Sequence, residues 1–270
     1  MKTCQNIIKI IFLITLSFVH SLTLKKIKSN TNQEEVEPGW VGGNTLWAVD
    51  QAGKIFNSNS GTWKQVDGPV LKFITVAENG RVWGCGPENE IYYRDPGASH
   101  FVQINGRLRN LSVSPNGSLW GTDKDGYVFV RFSDKLPQWH NLPSHGLTFR
   151  QIALNGNDWM WALQNDNVGR IFSRSSQSGW FSGMRNAALK QITCRNGICI
   201  GVAFNNTIWQ YNPQHNVRRF EQVQGYLAFI HIHNNNIIIG LDNNGHVWTR
   251  STTDLNHWIK MKGQFICISS

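Results

Sequence analysis

The chain has 270 residues, a formal net charge of +9 at pH 7, 12 Trp and 25 Gly. This length fits one domain plus a leader. The positive charge favours anionic partners. Nucleic-acid binding is a possibility from the charge alone, but no arginine-rich run or interleaved aromatic surface supports it, so no nucleic-acid partner is expected.

The N-terminus is typical of a secretory signal peptide over residues 1–21. Lys2 and Lys9 bracket a short basic start, residues 10–19 are mostly apolar, and small residues precede a cleavage point after Ser21. An N-terminal membrane anchor is the alternative, although the apolar run is short for a bilayer span. Because no second apolar stretch follows, we expect a mature chain that is secreted, extracellular and without a membrane span.

Residues 22–38 follow the leader and show no hydrophobic period. A polar, charged stretch of this kind cannot bury enough apolar surface to order itself, so we expect a flexible N-terminal tail. The segment 39–270 is periodic, and we expect it to be the folded domain.

A unit of about 39 residues repeats along this segment. Its clearest mark is Asn-Gly followed by an apolar residue, Trp and Gly. An Ile-aromatic or Val-aromatic step follows each copy, and then an aromatic residue with an apolar partner three positions on. The matching strings lie at 79–84 and 116–121, looser copies lie at 157–162, 196–201 and 235–240, and a further copy lies at 43–48.

Each unit predicts four short β-strands. Apolar and polar residues alternate within the segments, which is the period of a strand with one buried face. Asn-Gly between two such runs is a strong hairpin signal, because a type I′ turn needs positive φ at both central residues. Four strands in a repeat of this length are typical of one propeller blade.

The two ends of the array complement each other. The C-terminal unit stops after the Trp258/Met261 strand and the Ile268 strand, and the N-terminal piece, residues 43–58, supplies the other two strands of a unit. We therefore predict an all-β fold, a six-bladed β-propeller of four-stranded antiparallel blades, closed by N- and C-terminal strands sharing one blade. An open β-solenoid is the alternative, but it has no need of two complementary half units.

Four cysteines remain after Cys4 leaves with the signal peptide. An even number in an oxidising compartment predicts disulfides. Cys194 and Cys199 flank an Asn-Gly turn symmetrically, so we expect a cross-strand bridge between them. Cys85 and Cys267 lie in neighbouring blades of the predicted ring, so a second bridge across the closure is possible. No Cys/His cluster has the spacing of a zinc site, and no metal is expected.

Three sequons, at Asn110, Asn116 and Asn205, are candidate glycosylation sites in a secreted chain. Asn110 and Asn116 flank one predicted strand, so both are not expected to be occupied together. Asn116 also lies in a tight turn, where the sequon could equally stay unused.

The units resemble tectonin repeats, which form the blades of fish-egg lectins, slime-mould tectonins and the horseshoe-crab lipopolysaccharide-binding lectin. Two blades depart from the sequence that is usual for the family. Ile200 and Ile239 stand where tectonin blades usually have Trp, and Tyr211 stands where they usually have Arg. The resemblance implies a six-bladed propeller and carbohydrate binding, often in innate defence or egg protection. The segments that carry it are 63–68, 79–84 and 91–94.

Catalysis has little support, and the chain is predicted not to be an enzyme. Its 17 Asp and Glu are scattered, and none recurs at a repeat position facing one point. Asp123 and Asp125 lie two residues apart, as in a solvated turn, so a calcium site is unsupported. His231 and His233 share one face of a strand, which more often reflects exposure or hydrogen bonding than metal binding. No cofactor is expected.

Sugar binding asks for planar amides and carboxylates beside an aromatic face. The connection between the second and third strands of each unit supplies such groups on one rim of the ring, although Asn, Asp and Gly also fill turns for backbone reasons alone. The opposite rim, with Asn79 and Asn116, is the reserve site. The candidate carbohydrate-binding residues are Asn89, Asp125, Asn165, Asn206 and Asn244.

Several equivalent shallow sites on one ring would bind arrayed sugars tightly through effective concentration. We therefore predict a secreted lectin that recognises glycans on microbial or cell surfaces multivalently, such as N-acetylated sugars or lipopolysaccharide-like surfaces, in innate defence. The alternative is a non-catalytic propeller scaffold that binds a protein partner through one rim.

Overall fold

The computed structural model describes nine segments of the chain, and all structural statements refer to these residues. The predicted signal peptide and tail lie outside them, so the boundaries at residues 21 and 38 stay predictions. The described segments are 45–58, 62–133, 137–156, 159–175, 181–182, 187–212, 219–234, 237–251 and 257–269.

The described residues form 24 strands, which pair into six four-stranded antiparallel sheets. We number these blades 1 to 6 and label the strands of each blade a to d from the channel outward. Blade 1 is β24 (Cys267–Ser269), β1 (Leu46–Val49), β2 (Ile55–Ser58) and β3 (Lys64–Val66). Blade 2 is β4 (Phe73–Val76), β5 (Val82–Cys85), β6 (Glu90–Arg94) and β7 (Val102–Arg107). Blade 3 is β8 (Asn110–Val113), β9 (Leu119–Thr122), β10 (Val128–Arg131) and β11 (His140–Leu142).

The second half of the ring follows the same order. Blade 4 is β12 (Phe149–Asn155), β13 (Trp159–Gln164), β14 (Ile171–Ser175) and β15 (Phe181–Ser182). Blade 5 is β16 (Leu189–Arg195), β17 (Ile198–Ala203), β18 (Thr207–Asn212) and β19 (Arg219–Tyr226). Blade 6 is β20 (Phe229–Asn234), β21 (Ile237–Leu241), β22 (His246–Ser251) and β23 (Ile259–Gln264).

The six a-strands contact one another in a closed circuit, and blade 1 joins the two chain ends. In that blade β24 pairs with β1 in the register Trp47↔Ser269 and Val49↔Cys267. The predicted six-bladed propeller with a shared blade is therefore confirmed. The predicted division of that blade was wrong in one detail. The N-terminal end of the array supplies three strands and the C-terminal end supplies only β24, because Met261 pairs with Val247 and keeps β23 in blade 6.

The apolar core lies between adjacent blades rather than inside any one sheet. Between blades 4 and 5, for example, the buried Trp161 ring packs 4.8 Å from Tyr211 and 5.6 Å from Phe220, measured between ring centroids. Alternating side chains of the b- and c-strands point into these interfaces, so the two-residue period of the sequence becomes one buried aromatic layer per interface. Every tryptophan among the described residues is buried in, or packed partly buried against, one of these interfaces, which explains the high Trp content.

Three tryptophans link the outer strands of neighbouring blades through hydrogen bonds. The indole N–H of Trp139 donates to the carbonyl of Asn105 at 2.7 Å, and the equivalent bonds run from Trp63 to Lys262 and from Trp258 to Gln224. Beside each acceptor lies a glycine with φ between 114° and 121°. These glycines, Gly106, Gly225 and Gly263, leave the space that the indole fills.

Replacing Gly106 by Ala is expected to destabilise the protein more than the same change at Gly117. A Cβ at Gly106 would lie 2.5 Å from Trp139 Nε1, whereas at Gly117 no described atom lies within 4 Å, although both glycines have positive φ. Overpacking of this kind costs about 1–3 kcal/mol beyond the backbone penalty that both variants share. Urea unfolding of the two variants measures the difference in stability. Equal urea midpoints would show that the glycine beside the acceptor carbonyl is not needed to make space for the indole.

The predicted bridge between Cys194 and Cys199 is confirmed. The two residues are directly paired across the hairpin with Cα atoms 4.2 Å apart. The second bridge is wrong, since Cys85 and Cys267 are free, buried thiols. They belong to different apolar interfaces: Cys267 packs between blades 1 and 2, and Cys85 between blades 2 and 3. Burial raises the pKa of both thiols, that of Cys267 to about 12, so they stay protonated and unreactive.

Removing the confirmed bridge with Cys194→Ser and Cys199→Ser is expected to lower the free energy of unfolding by less than about 2 kcal/mol. The loop it closes is short, and the backbone pairing of the hairpin already holds it. Thermal unfolding with and without reductant measures the effect, which should be only a few degrees in Tm. Loss of the cooperative transition on reduction would contradict this assignment.

Candidate functional site

The connections of the propeller form two rims. The upper rim comprises the b–c connections and the links from each d-strand to the next a-strand. The lower rim comprises the a–b turns and the c–d connections. All five predicted carbohydrate-binding residues lie on the upper rim, one on each of blades 2 to 6, as the repeat pattern indicated.

The b–c turns of the upper rim share one feature. Each turn contains a residue with positive φ whose carbonyl oxygen accepts a hydrogen bond of 2.8–3.0 Å from the chain entering the next a-strand. Asn89 and Asn206, both with φ 67°, therefore stand where four blades have glycine, and Asn tolerates this conformation better than most residues. The positive-φ residues are Gly53, Asn89, Gly126, Gly169, Asn206 and Gly245.

The acidic residues of these turns are engaged by their own backbone. Asp123 Oδ1 accepts hydrogen bonds from the N–H groups of Asp125 and Tyr127 at 3.0 and 2.8 Å. Asp242 repeats this and also accepts the Trp248 indole N–H at 3.0 Å. Hydrogen bonds from Trp248 and His246 lower the pKa of Asp242 even though its burial opposes the shift. These carboxylates hold the turns in shape.

The side-chain amides of Asn89 and Asn206 also have partners. Lys72 Nζ donates to Asn89 Oδ1 at 2.7 Å, and Lys190 Nζ donates to Asn206 Oδ1. Asp125 is held by Lys124 Nζ at 2.8 Å. The backbone N–H groups of Asn165 and Asn244 also form bonds within the rim. The structure spreads these five residues over five blades, and neither of the two cavities described below includes any of them.

Sequence reasoning missed a row of basic residues on the same rim. Each lies at the start of an a-strand, and a Leu/Phe-basic pair at the repeat spacing was the signal for them. Arg109 donates to the Phe149 carbonyl at 2.5 Å, and Arg150 donates to the Gln164 carbonyl at 3.2 Å. Burial lowers the pKa of Arg109, Arg150 and Lys190, and the Arg150 charge lowers that of Arg109 further. The row comprises Lys72, Arg109, Arg150 and Lys190 on blades 2 to 5.

Two cavities open instead towards the lower rim. The first lies in the channel, encloses about 100 Å³ and is lined by the a-strands. Side-chain amides partly fill the channel by extending the backbone pairing between blades. Gln191 exchanges two hydrogen bonds with the backbone of Ile230, at 2.9 and 3.1 Å, and Gln151 does the same with Ile192.

The second cavity is a groove of about 360 Å³ between blades 1 and 2. We call it the blade 1/2 groove. Both cavities include Val76, Glu78 and Arg195 in their linings, so they meet at the mouth of the channel. The residues that line the groove are Thr45, Trp47, Asn57, Val76, Ala77, Glu78, Gly80, Val82, Arg94, Asp95, Pro96, Gly97 and Arg195.

Arginine side chains beside this groove are held in place by aromatic rings and hydrogen bonds. The Arg94 guanidinium lies 5.5 Å from the Trp47 ring centroid and donates to the Ala98 carbonyl at 2.7 Å. Arg81 lies 4.7 Å from the Tyr93 ring and pairs with Asp95, with 2.6 Å between Nε and Oδ1. The result is a preformed polar cleft with an indole in its wall, and its size falls within the range of small-ligand sites.

The sequons differ in their access to solvent. Asn110 is buried, and its Nδ2 donates to Thr122 Oγ1 at 2.7 Å and to the Arg150 carbonyl at 2.6 Å. A glycan on this nitrogen is incompatible with the folded ring, so that prediction was wrong. Asn116 and Asn205 are exposed, and both remain predicted glycosylation sites.

Within the described segments, no three His, Cys, Asp or Glu side chains come together as a metal site would require. Over the same residues, no helix is long and apolar enough to cross a membrane.

Six repeated four-stranded blades around a partly filled channel define a six-bladed β-propeller. The chain belongs to the tectonin family, because the tectonin domain matches residues 34–153 and 97–269. Tectonin-1 of Physarum polycephalum is 34% identical over 55 residues, which are 20% of this chain and 25% of Tectonin-1. The matched region thus spans about a quarter of that relative. The family and the fold fit a lectin or a propeller scaffold.

Solved propellers share the fold at low sequence identity. The WD40 propeller domain of Doa1 has a TM-score of 0.59 at 13% identity, covering 82% of this chain and 80% of that one. Prp20p of Saccharomyces cerevisiae has a TM-score of 0.54 at 10% identity, covering 83% and 76%. YCF48, solved bound to D1 peptide, has a TM-score of 0.54 at 13% identity, covering 82% and 78%. At these identities the likeness establishes the fold alone.

Proposed function

We propose that this protein is a secreted, non-catalytic lectin that binds glycans in the blade 1/2 groove. The observation that carries the proposal is the groove itself. It brings the Trp47 indole, the Asn57 amide and the carboxylates of Glu78 and Asp95 to the lining of one preformed cleft. Amides and carboxylates pair with adjacent sugar hydroxyls. Trp47 is 8% exposed and stacks with Arg94, so its indole forms part of the groove wall. Membership of the tectonin family supports the same class of function.

The proposal moves the site from the upper rim to the lower one. Several polar side chains of the upper-rim turns already have partners within the rim, as the bonds of Asn89 and Asp123 illustrate. The Glu78 carboxylate is exposed beside the groove. Similar clefts between other blades would give the multivalent binding expected of a lectin on microbial or cell surfaces.

A glycan array probed with the purified secreted protein tests this function. We expect binding to a subset of glycans, with competition by a free sugar such as N-acetylglucosamine. A protein that binds its target surface equally well in the presence of every free saccharide would not be a lectin.

One observation favours a second function, binding of a protein partner through the upper rim. Six of the nine exposed large hydrophobic side chains among the described residues lie there, and Tyr226 is 72% exposed. Exposed apolar side chains gathered on one face mark interaction surfaces. Binding that ignores free sugars but is lost in Phe204→Ala and Tyr226→Ala variants would support this scaffold role. The six residues are Val70, Tyr127, Val168, Phe204, Tyr226 and Ile266.

A further inference from the structure

We propose that the natural ligand is a polyanionic saccharide, a sugar polymer bearing sulfates or carboxylates, which lies across the lower rim with one ring in the blade 1/2 groove. This inference rests on the proposed lectin function and adds the chemical class of the ligand. It is carried by a separation of charge between the two rims.

The upper rim is electrically balanced among the described residues. We count each rim as its connections plus the two adjoining residues of each strand. On this definition the upper rim has equal numbers of basic and acidic residues. The basic residues are Lys54, Lys72, Arg107, Arg109, Lys124, Arg150, Arg170 and Lys190. The acidic residues are Asp50, Asp67, Glu88, Glu90, Asp123, Asp125, Asp166 and Asp242.

The lower rim is strongly basic by the same definition. Its acidic residues among the described ones are Glu78 and Asp95, both at the groove. Arg250 is buried against the Trp258 ring, and the other basic residues are exposed or half-buried. The net positive charge of the described propeller therefore lies on the rim that holds both cavities. The basic residues are Lys64, Arg81, Arg94, Arg131, Arg174, Arg195, Arg219, Arg250 and Lys260.

This charge distribution favours a polymer in which an uncharged sugar unit is flanked by units that carry negative groups. The acids at the groove suit the hydroxyls of one sugar unit, and the cations around it suit negative groups on neighbouring units. A surface with an excess of one sign of charge raises the local concentration and the association rate of a ligand of opposite sign. The channel cavity and the groove share Val76, Glu78 and Arg195 in their linings, so the two openings adjoin each other on the lower rim.

A membrane surface fits this rim less well. Peripheral membrane proteins combine cations and exposed apolar side chains on one face. Here most of the exposed apolar side chains are on the opposite rim, and the lower rim has only Val102, Phe132 and Ile259 among the described residues.

Single-stranded nucleic acid is disfavoured for a related reason. It calls for exposed aromatic side chains interleaved with the cations. Phe132 is the one exposed large aromatic residue in the described region of the lower rim.

The test compares two triple variants that remove the same charge from different rims. The lower-rim variant is Lys64→Gln, Arg219→Gln and Lys260→Gln, and none of these residues lines the groove. The control is Lys54→Gln, Lys124→Gln and Arg170→Gln on the upper rim. All six side chains are exposed, so both variants should fold. Binding to immobilised dextran sulfate, polygalacturonate and neutral dextran is measured at several salt concentrations.

We expect the unaltered protein to prefer both anionic polymers over dextran, with affinity falling steeply as salt rises. The lower-rim variant should lose on the order of tenfold in affinity for the anionic polymers, since three screened charge contacts are removed. The upper-rim control should stay within about twofold of the unaltered protein.

Three results would overturn the inference: equal losses in both variants, no preference for anionic polymers, or equally tight binding to anionic phospholipid vesicles or single-stranded DNA. If the protein binds neutral glycans in the groove and does not prefer anionic polymers, the lectin function stands. Only the proposal that the ligand is anionic is then wrong. A protein that binds no saccharide at all would remove the proposed function as well.

Discussion

Deleting residues 265–270 is expected to unfold most of the propeller. Phe265 packs 4.5 Å from the Trp63 ring and 5.5 Å from the Phe56 ring, and Ile268 is fully buried between blades 6 and 1. Burial of a large apolar side chain contributes about 1.5–3 kcal/mol, so loss of this segment removes an amount comparable to the stability of a typical domain. It also leaves β1 with an unpaired edge.

Circular dichroism during heating measures the loss of stability. A matched pair of point variants then distinguishes the loss of the closing contacts from the mere shortening of the chain. Ile268→Ala should cost about 2–5 kcal/mol. Ile266→Ala, two residues away and 40% exposed, should change stability by no more than about 0.5 kcal/mol. A truncated chain that melts like the full one would show that the ring does not depend on β24.

The second large effect concerns glycan binding. Glu78→Ala should weaken binding by about 10- to 100-fold, because a hydrogen bond to a charged group contributes about 1.5–3 kcal/mol. Asn57→Ala should weaken binding by up to about 10-fold, because a bond to a neutral amide contributes about 0.5–1.5 kcal/mol. Both residues line the groove, and Glu78 lies in an exposed turn, so its replacement should leave Tm unchanged. Titration calorimetry with a glycan chosen from the array measures the affinities.

The upper-rim variants Asp125→Ala and Asn244→Ala are the controls for this experiment, and they should bind as the unaltered protein does. If these two lose binding and the groove variants keep it, the site lies on the upper rim, where the repeat pattern first placed it.

The repeat was sufficient to predict the architecture. A period near 39 residues with four strand signals per unit specifies blades, and complementary ends specify closure. It could not assign the outer strand of the shared blade, because Trp63 and Trp258 carry the same local motif. Their strands differ only in long-range partners, and the pairing of Met261 with Val247 decides the assignment. The bridge between Cys194 and Cys199 was predictable because both cysteines lie in one hairpin.

The candidate site was less predictable, for physical reasons. Asn89 and Asn206 stand out in the sequence, but a positive-φ turn selects Asn as readily as a ligand does. Asn110 matches a sequon, and only the fold reveals that its amide is buried. The groove joins Trp47 and Arg94 across two blades, and no local pattern indicates such a meeting. The charge difference between the rims likewise needs the strand order before residues can be assigned to a side.

A crystal structure of the protein soaked with a saccharide identified on the array tests the central claim most directly. We expect density for a sugar ring in the blade 1/2 groove, in contact with Trp47 and within hydrogen-bond distance of Asn57 or Glu78. Sugar density confined to the upper-rim turns, with the groove filled only by solvent, would contradict the account.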